Sequence, residues 1–176
     1  MTPSSDGLRS IGSQLRSQRE LQRRDLDLRT ISHMVREQTL HRIHRNWYLA
    51  RESLASLSPE RRHIAQIITV HRSAKSPPLF SHISAAVLLG LPIYGLDSSP
   101  VHLITAAGGT GRPTDGVIRH RTGVDPLDVM EIEGIRCTTP DRTLFDLGCT
   151  ARPELSLTCA DAFLSTIALD GRLVRH

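Results

Sequence analysis

SQRELQRRDLDLRTISHMVREQTLHRIHRNWYL, residues 17–49, is the stretch whose reading decides the fold. It spells two short helices followed by a small basic hairpin. Ser17 and Glu20 have the spacing of a capping box, in which each side chain satisfies an open amide at the helix start. Leu21 gives this first helix one buried contact. Asp25, Leu26 and Asp27 interrupt the helical run, and Asp27 is a good N-cap for a second helix from Leu28 to about Glu37. Leu28, Ile31 and Val35 fall on the face expected to be buried; Arg29, Ser32, His33 and Arg36 fall on the other. Gln38 and Thr39 end the helix. LHRIHRNWYL, residues 40–49, is then rich in strand formers around Arg45 and Asn46, where Asn tolerates a positive φ. That order is the outline of a winged helix-turn-helix, with the turn as the wing.

Charge points the same way. Residues 1–50 hold nine Arg against five acids, an excess of four that equals the net charge of the whole chain, +4. Beyond residue 50, thirteen basic residues face thirteen acidic ones. Positive potential gathered on one small unit is the footprint of phosphate binding. Major-groove contacts are expected from Arg29, Ser32, His33 and Arg36, wing contacts to phosphate or the minor groove from Arg42, His44 and Arg45, and backbone contacts from Arg19, Arg23 and Arg24. Of the 22 basic residues 21 are Arg, which suits bidentate phosphate and guanine contacts.

Ahead of this stretch, Leu8, Ile11 and Leu15 describe an amphipathic helix begun at Ser5 or Asp6, expected to complete a three-helix core. Behind it, RESLASLS (51–58) turns small and polar and reads as a linker, dividing the chain into residues 1–52 and 53–176. The second part reads as α+β, with two helices, four short strands and two helices. Ser58, Pro59 and Glu60 begin a helix with Ile64, Ile67, Ile68 and His71 on one face, and Ser81 caps the next, ending at Gly90. VHLITA (101–106) and GVIRHRT (116–122) read as an antiparallel hairpin, and DVMEI with IRCT as a second hairpin around Glu133 and Gly134. Thr139, Pro140 and Asp141 start a further helix that Gly148 closes, and Leu155, Cys159, Phe163 and Ile167 mark a last one. The fold class is α+β.

No catalytic or metal constellation stands out. Gly108, Gly109 and Gly111 follow a strand, but no Lys-Ser/Thr pair follows them. Ser81 beside His82 reads as a cap rather than a nucleophile with its base. Asp125, Asp128, Glu131 and Glu133 read as a solvated acidic strip. Cys137, Cys149 and Cys159 have no zinc-ligand spacing and read as buried free thiols. The single Lys, Lys75, follows Ser73 and Ala74, which excludes a Glu-x-Lys nuclease. No cofactor, no metal and no enzymatic activity are therefore expected. Arg112, Arg119 and Arg121 lie along the first hairpin, with His120 on the opposite side of the strand; they read first as the ordinary polar face of a half-covered sheet, and in the alternative as a second basic surface that extends the nucleic-acid contacts or meets an acidic partner. Six aromatic residues are too few for a single-strand stacking platform, so duplex DNA is the expected ligand. With no apolar run of the roughly 20 residues that a membrane span takes, and no signal-peptide core at the N-terminus, a cytoplasmic location with no membrane partner is expected.

The basic helix-turn-helix, a wing ending in RNWYL, then FSHISAAVLLGLP, VHLIT, VIRHRT and IRCTTPDRTLFDL together resemble the AbiEi-type antitoxins and related actinobacterial winged-helix transcriptional regulators, over most of the chain. That family often carries Gly at the positions of Asn46 and Gln38. The resemblance implies a sequence-specific repressor that binds its own operator and counters a nucleotidyltransferase toxin, directly or only functionally. Relatives often continue into an endonuclease-like domain, so the alternative is the regulatory front part of such a protein. Operator sequence, toxin and oligomeric state are not set by the sequence.

Overall fold

The computed structural model describes residues 5–93, 95, 100–105 and 116–169. The first 50 residues form α1 (Ser5–Gln14), β1 (Arg16–Ser17), α2 (Gln18–Gln22), α3 (Leu28–Arg36), β2 (Leu40–His44) and β3 (Trp47–Ala50). The caps expected from the sequence hold these elements in place. Ser17 Oγ accepts from the Glu20 amide at 3.2 Å while Glu20 Oε2 accepts from the Ser17 amide at 2.6 Å. Asp27 Oδ1 accepts from the Thr30 amide at 2.7 Å and starts α3. The hairpin β2–β3 turns at Asn46, φ 63°, and β1 adds to β3 as a third antiparallel strand.

Leu28 departs from its expected place in the core: it is 53% exposed. As the first residue of α3 it projects beyond the small apolar cluster of Leu21, Ile31, Leu40 and Tyr48, which Leu26, Met34 and Val35 complete instead. The expected linker is also not one. Residues Arg51–Ala55 form α4, and Leu57 behind it is buried. Leu8 and Ile11 of α1, with Leu15 just behind it, join Leu49 and Leu57 in one continuous core with Ile64, Ile67 and Ile68 rather than closing a separate three-helix unit. Arg72 ties the same parts by hydrogen bonding, donating to the Gly12 carbonyl at 3.0 Å, as Trp47 does by donating from Nε1 to Ser73 Oγ at 2.8 Å.

The remaining elements are α5 (Pro59–Ser73), β4 (Leu79–Phe80), α6 (His82–Leu88), β5 (Val101–Thr105), β6 (Val117–Arg121), β7 (Val129–Ile132), β8 (Ile135–Thr138), α7 (Pro140–Thr150) and α8 (Pro153–Leu169). They build a five-stranded sheet of order β6-β5-β4-β8-β7 under helices. Its middle strand, β4, has only two residues, too few to show an alternating pattern. β7 and β8 form the expected antiparallel hairpin, turning at Glu133 and Gly134 with φ 50° and 78°, as a tight primed turn requires. β5 and β6 do not: they run parallel, Val101 beside Val117 through Thr105 beside Arg121. Alternation specifies which side chains share a face but not strand direction. The glycine loop between them, with Arg112, lies outside the described residues, as does the tail from residue 170. Gly90, φ 73°, ends α6 with the two reversed hydrogen bonds of a Schellman motif. Gly148 lies inside α7, whose last residue is Thr150, so it does not close that helix.

Candidate functional site

α3 presents Arg29, Ser32, His33 and Arg36 to solvent, all four exposed. The helix is held from behind by Ile31, and its outward groups make only short-range contacts: Ser32 Oγ donates to the Leu28 carbonyl at 2.7 Å, and His33 Nδ1 lies 3.9 Å from Glu37. A rigid helix with guanidiniums on its open face can offer paired donors to an acceptor-rich edge.

The hairpin beside it carries the second group. Arg42, His44 and Arg45 line a cleft of about 1290 Å³ together with Arg19, Arg72 and Arg119. No carboxylate among the described residues lines it. Arg119, expected on a separate basic surface, is therefore brought beside the β2–β3 hairpin, half-buried on β6; Arg121 is exposed on the same strand. His44 is half-buried in this cleft, and burial, followed by Arg42, Arg119 and Arg45, pushes its pKa below the ordinary imidazole value. Arg23 and Arg24 lie elsewhere, in a shallow hollow with Arg16 and Glu20. The ten residues expected to meet DNA thus fall into three neighbouring groups rather than one strip: α3, the cleft, and the far side of α2.

A second constellation was not legible in the sequence. His82 at the start of α6, His102 on β5 and His120 on β6 converge under the sheet edge. The His82 and His120 rings stack with centroids 3.5 Å apart, and His102 Nδ1 meets His120 Nε2 at 2.9 Å. Ser81 does not cap α6 through its side chain. Its hydroxyl bonds His82 Nδ1 at 2.9 Å, so the two neighbours do face one another, because His82 sits at φ 51°. Asp146 on α7 stands 3.8 Å from the same Nδ1 and is clamped from behind by Arg142, which also reaches Asp128 at 3.1 Å. Ser81 and Asp146 address the same nitrogen, and Ser81 is fully buried, so a hydrolytic triad is not assembled. Burial first, then the neighbouring rings, lowers His102 to about 3; burial, His120 and Arg142 lower His82 to about 4. Burial lowers the His120 pKa as well, against an opposing pull from Asp146. The three histidine positions, 82, 102 and 120, lie on three elements and share no motif spacing, which is why only the parallel pairing of β5 with β6 reveals them.

The expected acidic strip is partly paired: Asp128 to Arg142, and Glu133 to Arg9 of α1 at 2.9 Å. Cys137, Cys149 and Cys159 are free thiols, but only Cys137 and Cys159 are buried as expected; Cys149, near the end of α7, is exposed, and burial pushes Cys137 up to about 12. No described helix is long and apolar enough to cross a membrane. Neither the protein-family models nor the curated proteins compared with this chain match it.

Proposed function

We propose that the chain is a sequence-specific duplex DNA-binding repressor, with α2 and α3 as a helix-turn-helix and the β2–β3 hairpin as its wing. The observation that carries this reading is the exposed face of α3, where Arg29, Ser32, His33 and Arg36 stand clear of the core beside a hairpin bearing Arg42 and Arg45. α3 lies in the major groove and reads base edges; Arg29 and Arg36 suit guanine O6 and N7. Leu28, exposed at the helix start, suits a thymine methyl group. Arg19, Arg42 and Arg45 engage phosphates, and Arg23 and Arg24 extend the backbone contacts along α2. The resemblance to AbiEi-type antitoxins adds autoregulation of an operon and neutralisation of a nucleotidyltransferase toxin.

Fluorescence anisotropy with a random-sequence duplex tests the electrostatic half of this reading. Each neutralised phosphate contributes about 0.9 to the slope of log K against log salt. A protein engaging several phosphates through these arginines loses affinity steeply between low and physiological ionic strength. Absent binding, or a flat salt dependence, overturns the proposal.

A further inference from the structure

Three imidazoles meeting under the edge of the five-stranded sheet have a chemistry that a DNA-binding role does not use. We propose that His82, His102 and His120 form a binding site for a divalent transition-metal ion of the zinc class. Each offers one ring nitrogen, and the three nitrogens lie within 4.8 Å of one another. Around a tetrahedral zinc, with bonds of about 2.0–2.1 Å, ligand nitrogens stand roughly 3.3 Å apart. Closing from the observed spacing to that distance takes adjustment of the rings, since His82 stacks on His120 and His102 Nδ1 stands 2.9 Å from His120 Nε2. The 2.9 Å approach of His102 Nδ1 to His120 Nε2 aims both nitrogens at one point, where an ion takes both lone pairs once the shared proton has moved to the other nitrogen of its own ring.

The surroundings are those of a metal site. In the tautomer whose Nδ1–H donates to Ser81 Oγ, Nε2 of the His82 ring keeps its lone pair for a ligand. Asp146, 3.8 Å from the same Nδ1, is placed as the carboxylate behind a ligating histidine, and its Oδ2 is buried without a hydrogen-bond partner among the described residues. Arg142 holds the other oxygen, Oδ1, at 2.9 Å. Two local costs fall on this one spot, the orphaned carboxylate oxygen and the left-handed backbone of His82, a non-glycine residue at φ 51°. Imidazole ligands select zinc, cobalt, nickel or copper over magnesium and calcium. His102 and His120 are only half-buried, so an ion can enter from solvent, and three protein ligands leave a fourth position for water.

The test is titration of the chelator-treated full chain with zinc by calorimetry and with cobalt(II) by visible absorption. One equivalent is expected, with the intense cobalt bands of a tetrahedral site. His102→Ala and His120→Ala, checked for folding by circular dichroism, are expected to abolish it, and Ser81→Ala to weaken it by about 10–100-fold, as for other partners of ligating histidines. Cys149→Ser, which removes the exposed thiol, is expected to leave it unchanged. The site is refuted by wild-type protein that takes up no stoichiometric metal, by full binding in folded His102→Ala and His120→Ala, or by loss in Cys149→Ser.

Discussion

Arg29 and Arg36 differ from Arg45 in what each can contribute to recognition. On α3 a guanidinium held by a packed helix can bond a guanine edge in bidentate fashion, worth about 1–3 kcal/mol of discrimination. At the hairpin tip, beside Asn46, Arg45 lines the cleft, and on the proposed reading it would meet phosphate. Arg29→Ala and Arg36→Ala are therefore expected to compress the ratio between selected and random DNA affinities, while Arg45→Ala weakens both alike and lowers the salt slope by roughly one. Competition binding with both duplexes reads this directly; an unchanged ratio in folded Arg29→Ala and Arg36→Ala proteins removes α3 as the reading helix. His44 adds a pH dependence of opposite sign for binding and for folding. Its pKa is depressed in the folded chain, by burial and then by Arg42, Arg119 and Arg45. Its contribution to stability is present above the ordinary imidazole pKa of about 6.5 and is lost as pH falls below that value towards the depressed one. A phosphate in the cleft raises the same pKa, so DNA binding takes up a proton and affinity rises as pH falls through that window. His44→Gln is expected to flatten both profiles; an affinity that falls on acidification in the wild type contradicts this account of the cleft.

The elements were legible in proportion to how locally they are specified. Ser17 with Glu20, Asp27, Ser58 with Pro59, and the turn at Glu133 and Gly134 each announce a boundary through a side chain acting within a few residues, and each stands where the sequence places it. β4 failed because two residues carry no period, and the β5–β6 pair failed because strand direction depends on neighbours far along the chain. The histidine cluster was hidden for the same reason: it exists only once α6, β5 and β6 are in register. Gln38 shows the local rules at work against the sequence. It ends α3 at φ 57°, a conformation that costs a non-glycine residue about 1–2 kcal/mol, partly offset by the greater freedom of an unfolded glycine. Gln38→Gly is expected to stabilise the chain by roughly 0.5–1 kcal/mol in urea denaturation. Asn46→Gly should gain less, because Asn already tolerates φ 63°. Destabilisation by Gln38→Gly would contradict the left-handed end of α3.

At the scale of the molecule, the apolar faces of α1 and α5 and residue Leu49 of β3 belong to one core that continues to Phe80, Leu88 and Leu147. An N-terminal part seated on such a core does not unfold by itself. Trp47, the single tryptophan, lies in the hairpin, so its fluorescence follows the first part of the chain while far-ultraviolet circular dichroism follows the whole. The two unfolding curves are expected to coincide. Ile11→Ala, which empties a fully buried position on α1, should shift both together at a cost of about 2–5 kcal/mol. Separate transitions would show that the core is divided. The same seating fixes α3 and the hairpin relative to one another, which is what reading a defined operator requires. Selection of bound fragments from a randomised duplex library by the purified chain tests that claim most directly. The account predicts enrichment of one short motif, lost from the selection when Arg29 and Arg36 are replaced by Ala; recovery of no motif, or of the same motif with that double variant, would contradict it.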